Sequence, residues 1–187
     1  MQWRNSPSRW GVVAQTLHWT IALAVIGLAL VGLLMQELPN SPQKLQVYAL
    51  HKSVGLTVLV LVVLRLGWRL VDRRPAAPPG QPRWQRGLAA ATHGLLYLLL
   101  LAMPLTGWLY NSASNFPLRW FGLVRIPPLA AADPDLKALA QDLHSAGFYL
   151  LAVLFALHVG AALKHHYLDR DRTLAAMLPF QPRDGAP

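Results

Sequence analysis

The stretch HSAGFYLLAVLFALH, from His144 to His158, decides the fold. It sets two histidines fourteen positions apart with no charged residue between them. Fourteen residues are close to four helical turns, so on a helix both rings leave one face, roughly 21 Å apart along the axis. A bilayer-crossing segment of this kind offers one imidazole near each membrane surface. That is the geometry for holding two redox centres at two depths.

Composition supports a membrane setting. Apolar residues make up 54% of the 187-residue chain and charged residues 13%, against roughly 25% charged in soluble domains. Mean hydropathy is +0.33. There are no cysteines, which excludes disulfides, thiolate metal sites, iron–sulfur clusters and c-type haem attachment. A metal must then be held by histidine, carboxylate, methionine or a cofactor ring. The net charge of +9 does not indicate a nucleic-acid partner, because the basic residues flank apolar runs and do not line a polar face.

Four apolar stretches, at about 17–36, 53–71, 88–110 and 145–164, are long enough to cross about 30 Å of hydrocarbon. They predict an all-α integral membrane fold, an antiparallel four-transmembrane-helix bundle, with residues 1–187 as one domain. Pro39 and Pro42 close the first span, and the stretch from Pro75 to Pro82 separates the second from the third. Pro104 should kink the third span, which packed membrane helices tolerate. Arg4 and Arg9 precede the first run in the manner of a signal peptide, but no small-residue cleavage site follows, so the run is expected to stay as an anchor.

Orientation follows from the basic residues. Arg4, Arg9, Arg65, Arg69, Arg73, Arg74, Arg83, Arg86, Lys164, Arg170, Arg172 and Arg183 lie on one side, and Lys44, Lys52, Arg119, Arg125 and Lys137 on the other. This bias predicts a multi-pass membrane protein with both termini cytoplasmic. The outer loop from Asn111 to Leu143 is broken by prolines, and Asp135 to Leu143 is expected to form a short surface helix.

Depth then sorts the histidines. His51 and His144 fall toward the outside, while His18 and His158 fall toward the cytoplasm. Two pairs at two depths are what bis-histidine ligation of two haem b groups requires. A lone intramembrane histidine could equally be a hydrogen-bonded core residue, but four agreeing in type and depth favour ligation. His93 shares the inner level, either as a substitute ligand or, as preferred here, packed beside the inner ring. His165 lies two turns beyond His158 and could touch a ligand near the inner haem; with His166 it could also be a solvated border residue. Gly55, Gly107 and Gly147 would let a flat ring approach the backbone, although small-residue helix packing uses glycine equally. Arg65, fourteen residues after His51, is aimed at the inner level. It could pair with a haem propionate or snorkel to the headgroups. Trp3, Trp10, Trp68 and Trp84 read as an aromatic belt.

Thr16-Leu17-His18-Trp19, His51-Lys52-Ser53-Val54-Gly55, His158 with His165-His166-Tyr167, Asp171-Arg172-Thr173-Leu174 and Met177-Leu178-Pro179 resemble the bacterial cytochrome b561 family. The resemblance runs from about Arg9 to Pro179. It implies a four-helix inner-membrane protein with two haems b, ligated by His18 with His158 and by His51 with His144. It also implies an activity, oxidation of periplasmic superoxide with reduction of membrane ubiquinone. A cytochrome b subunit relaying electrons from a partner dehydrogenase is the alternative. On this reading Lys52, Arg119, Arg125 and Lys137 could steer superoxide, although Glu37, Asp133, Asp135 and Asp142 leave the outer loops near +1. His165 is the first candidate to meet the quinone, ahead of Arg86 and Trp84. A zinc or copper transporter is disfavoured, since no Asp or Glu lies within the spans.

Overall fold

A computed structural model describes residues 2–77 and 80–179; Arg183, part of the charge bias, and Pro78 and Pro79 of the proline-rich stretch lie outside them. Four helices are long and apolar enough to span a membrane: α1 (Val12–Glu37), α2 (Pro42–Val71), α3 (Arg83–Ala113) and α4 (Pro134–Tyr167). The protein is an all-α four-span bundle. Its lipid-facing surface is apolar, as Leu23, Leu34 and Leu98 illustrate, each more than half exposed.

Every helix overruns its apolar stretch, because the stretch marks the hydrocarbon and the helix continues into the headgroups. α2 begins eleven residues before position 53, with Ser41 accepting the Lys44 amide at 3.2 Å and Pro42 at the first helical position. The expected separate surface helix from Asp135 to Leu143 does not form. Asp133 caps the Asp135 and Leu136 amides at 2.9 and 3.0 Å, and α4 then runs unbroken to Tyr167. Pro104 lies inside a continuous α3.

The helices pack in chain order, α1 on α2, α2 on α3 and α3 on α4. Ile21, Val58 and Val62 form the buried centre with Tyr97, Leu100 and Leu101 against them. The backbones of α1 and α2 meet that of α4 at few points. The histidine pairs lie across these two looser seams.

A two-stranded hairpin, β1 (Leu118–Trp120) with β2 (Val124–Ile126), covers one end of α2. Its turn places Phe121 and Gly122 at φ 47 and 75°, the paired left-handed conformation of a tight hairpin. Phe121 tolerates this because its amide donates to Ser53 Oγ at 2.9 Å, while Trp120 Nε1 donates to Thr57 Oγ1 at 3.1 Å. At the other end the N-terminal segment and α1 meet the C-terminal segment, and the N-terminal segment also meets the α2–α3 connection. Arg9 donates to the Leu178 carbonyl at 2.7 Å, Trp19 Nε1 to the Met177 carbonyl at 3.0 Å, and the Asn5 amide to Asp72 Oδ2 at 2.9 Å. The two ends of the described chain therefore lie on one side of the bundle.

Candidate haem sites

His18 of α1, His93 of α3 and His158 of α4 meet as a cluster of half-buried rings. The centroids of His18 and His158 are 6.2 Å apart at 62°, and those of His93 and His158 are 5.2 Å apart at 74°. Imidazole nitrogens sit about 2 Å from a bound metal, so two rings on opposite sides of one ion have centroids roughly 6 Å apart. The His18–His158 spacing suits that arrangement, whereas His93 is packed closer, beside His158. Its ring hydrogen-bonds the Ala89 carbonyl.

Arg65 reaches this cluster and does not snorkel. Its guanidinium donates to Tyr97 Oη at 3.0 Å, to the Ala14 carbonyl at 2.8 Å and to His18 Nδ1 at 3.2 Å. A guanidinium has no acceptor, so His18 Nδ1 offers its lone pair. With His18 neutral, its proton then lies on Nε2.

Four turns away along α4 stands His144, with His51 on α2, and each ring lies against a glycine of a neighbouring helix. His144 Nδ1 lies 3.0 Å from the Met103 carbonyl and 3.1 Å from Thr106 Oγ1, which itself donates to Met103 O at 2.9 Å. A carbonyl can only accept, so Nδ1 carries the proton and Nε2 is left with the lone pair a metal needs. Among the described residues, His51 Nδ1 is buried without a hydrogen-bond partner. Its ring lies against Gly32, where an added Cβ would come within 3.3 Å of Cε1; a Cβ at Gly107 would meet His144 Cε1 at 3.3 Å. Gly55 faces open space, whereas a Cβ added at Gly147 would come within 2.7 Å of Met103 Sδ. Gly107 therefore makes room for a ligand ring and Gly147 for helix packing. Gly32, which carries no distinguishing mark in an apolar run, is the cradle that sequence reading missed.

The residue pair beside His51 links this site to the outer loop. Lys52 Nζ donates to Asn111 Oδ1 at 2.9 Å. On the hairpin docked at Ser53, Arg119 and Arg125 are direct cross-strand partners and both are exposed. Like charges placed opposite one another destabilise a hairpin.

His165 is held apart from the ring cluster. Its Nδ1 lies 2.6 Å from Asp171 Oδ2 and 3.2 Å from Asp169 Oδ2, and Lys164 Nζ bonds both Asp169 oxygens at 2.8 and 2.6 Å. Burial of Asp171 opposes its ionisation, but hydrogen bonds from Thr173 and His165 outweigh this and hold its carboxyl below the usual value. Trp84 and Arg86 are exposed and do not line the cavity beside His165. Trp3 and Trp84 are 65% and 67% exposed, as border residues should be. Trp68 instead turns inward beside Arg65 and Tyr97, its indole nitrogen buried.

A four-span bundle with imidazoles facing one another across its seams defines a membrane cytochrome of the b type. The sequence profile of the prokaryotic cytochrome b561 family matches residues 9–180, and the chain belongs to that family, whose members bind haem b in electron transfer. It is 34% identical over 185 residues to cytochrome b561 homolog 2 of Escherichia coli (strain K12), covering 95% of each chain. It is 32% identical over 164 residues to cytochrome b561 homolog 1 of the same organism, covering 87% of this chain and 93% of that one. A probable superoxide oxidase CybB of Yersinia pestis is 31% identical over 168 residues, covering 87% of this chain and 92% of its own.

Proposed function

We propose that this chain is a di-haem superoxide:ubiquinone oxidoreductase of the bacterial inner membrane, a single domain with both termini cytoplasmic. His18 and His158 would hold the inner haem, and His51 and His144 the outer one. Haem iron supplies one-electron chemistry when bound; the chain supplies ligands, charge and access. The observation that carries the reading is the 6.2 Å spacing of the His18 and His158 rings, with a second facing pair four turns along the same helix.

The chain's own residues fit the overall balance, in which two superoxide anions, one ubiquinone and two protons give two oxygen molecules and one quinol. On the outer side Arg119 and Arg125 group two positive charges on the hairpin over α2. Asp133, which could cancel them, is turned into the start of α4 as a helix cap. This favours electrostatic guidance of a small anion. His144 is oriented through Nδ1 by Met103 and Thr106, leaving Nε2 to bind. At the inner level Arg65 brings a cation to His18 and would be the partner for a haem propionate. His165 meets the quinone at the cytoplasmic border. The superoxide activity draws support from the relative named as a probable superoxide oxidase.

The test is superoxide-dependent reduction of ubiquinone by the purified protein in detergent, with haem redox state followed optically. We expect two haems per chain and quinol formation in proportion to superoxide consumed. Haem reduction by a co-purifying partner subunit, with none by superoxide, would replace this reading with that of a relay subunit.

A further inference from the structure

Below the inner histidines, α4 ends in a turn with a specific consequence. Asp169 N and Leu168 N both bond the Lys164 carbonyl, Arg170 takes φ 53°, and the Asp171 amide returns to the His165 carbonyl at 3.0 Å. The left-handed residue folds the chain back, which brings the Asp171 carboxylate onto the His165 ring at 2.6 Å. Beside the pair lies a cavity of about 250 Å³ lined by Gly80, Gln81, Pro82, Gln85, His165, Asp169 and Asp171. That is smaller than the roughly 300–1,000 Å³ of pockets for whole drug-sized ligands, so it suits a ring headgroup whose tail lies along the helices.

We propose that Asp171 is the positioning carboxylate of a proton-delivery pair: it holds His165 by Nδ1 and presents the Nε2 edge to a quinone headgroup in this cavity. The inference rests on the quinone reading above. Reducing one quinone takes two electrons and two protons. Each proton passes from His165 Nε2 to a quinone oxygen, and His165 is then recharged from the cytoplasmic water at the cavity mouth. With Nδ1 engaged by the Asp171 carboxylate the ring cannot turn its donor away, and that carboxylate is the anion facing the ring when both nitrogens carry protons. The charged groups facing His165 are Asp169 and Asp171, with Lys164 neutralising Asp169. From the start of α3 the cavity receives Gln81 and Gln85, which carry no charge. Asp171 is therefore the carboxylate that holds the ring by Nδ1.

The experiment uses the full haem-loaded protein, reduced with dithionite and freed of excess, and follows its reoxidation by decylubiquinone against pH. Asp171→Asn keeps an acceptor for Nδ1–H and removes the charge. We expect kcat to fall about tenfold near pH 8 and much less near pH 6, moving the alkaline limb of the profile to lower pH. KM should stay within about twofold, haem content should be unchanged, and Asp171→Glu should restore the profile. In a His165→Gln background, Asp171→Asn should have no further effect, as for residues acting as one unit. A wild-type pH profile in Asp171→Asn, or additive losses in the double variant, would overturn the proposal. Failure of the wild-type protein to be reoxidised by decylubiquinone would instead remove the quinone reading itself, and this proposal with it.

Discussion

The two histidine sites sit on one helix, four turns apart, yet they are built from opposite materials. The outer pair is held by neutral groups: His144 donates to the Met103 carbonyl, and His51 rests against the backbone at Gly32. The inner site packs three rings together and adds a cation, with Arg65 donating to His18 Nδ1. A nearby positive charge stabilises a centre that has gained an electron, and hydrogen bonding and charge around the ligands are the protein's means of setting potential. The difference therefore gives direction: with both haems bound as proposed, electrons should settle at the Arg65 side.

The harshest way to break the comparison is to remove a ligand. His144→Ala and His51→Ala should each lower haem content from two to one per chain and abolish reduction by superoxide. His18→Ala and His158→Ala should also leave one haem, but that haem should still be reduced by superoxide. His93→Ala should keep both haems, because its ring packs at 5.2 Å beside His158, closer than the spacing across a metal. Pyridine haemochrome assay counts the haems; loss of one in His93→Ala would reassign the inner ligands.

The meeting of His18 with His158 was legible because His144 and His158 share a helix face, which sets His158 at the depth of His18. Arg65 was placed at the right level by the same fourteen-residue step. Its partner was not legible, since the choice between propionate, headgroup and His18 depends on where α1 lies. The hairpin escaped notice because three-residue strands give no period to detect, and its turn uses Phe121 at φ 47°, a position where sequence favours glycine or asparagine. The helix ends were drawn short because apolar runs report the hydrocarbon, while polar segments such as Pro134–Leu143 continue the same helix. His165 was singled out from sequence, but the fold-back at Arg170 that gives it Asp171 has no signal in residue type.

The next effect is electrostatic. Arg65→Gln should lower the potential of the inner haem by roughly 60 mV, the one-electron equivalent of about 1.4 kcal/mol, with the outer potential little changed. Arg65 also leaves His18 with its proton on Nε2 when neutral, so ligation through that atom requires the proton to leave or the guanidinium to turn. Potentiometric titration checks both sites in one sample. Equal shifts at both haems, or none, would show that the Arg65 contact does not distinguish them.

A smaller effect tests the neutral side. Gly107→Ala and Gly32→Ala each put a Cβ 3.3 Å from a ligand-ring carbon, so the ring must yield by a few tenths of an ångström. Outer haem retention should fall severalfold in both, with the inner haem intact. Gly27→Ala meets nothing within 4 Å and should leave both haems in place, separating cradle from general helix packing.

The least change is expected at the border network, and it separates charge in water from charge at a site. Lys164 and Asp169 have side chains 47% and 35% exposed, so Lys164→Ala should cost at most about 1 kcal/mol of stability. Asp171 behaves differently with pH. Its carboxyl is held below the ordinary value of 3.8, so its contribution is full above that value and is lost as pH falls through the lowered one. Thr173→Val removes one of the hydrogen bonds responsible and should lower the melting temperature slightly near pH 7, where that contribution is full, and less near pH 3, where it is already being lost. Thermal unfolding of the haem-loaded protein from about pH 3 to pH 7 measures both. An equal loss at both ends of that range in Thr173→Val would assign the acid-side loss to another carboxylate.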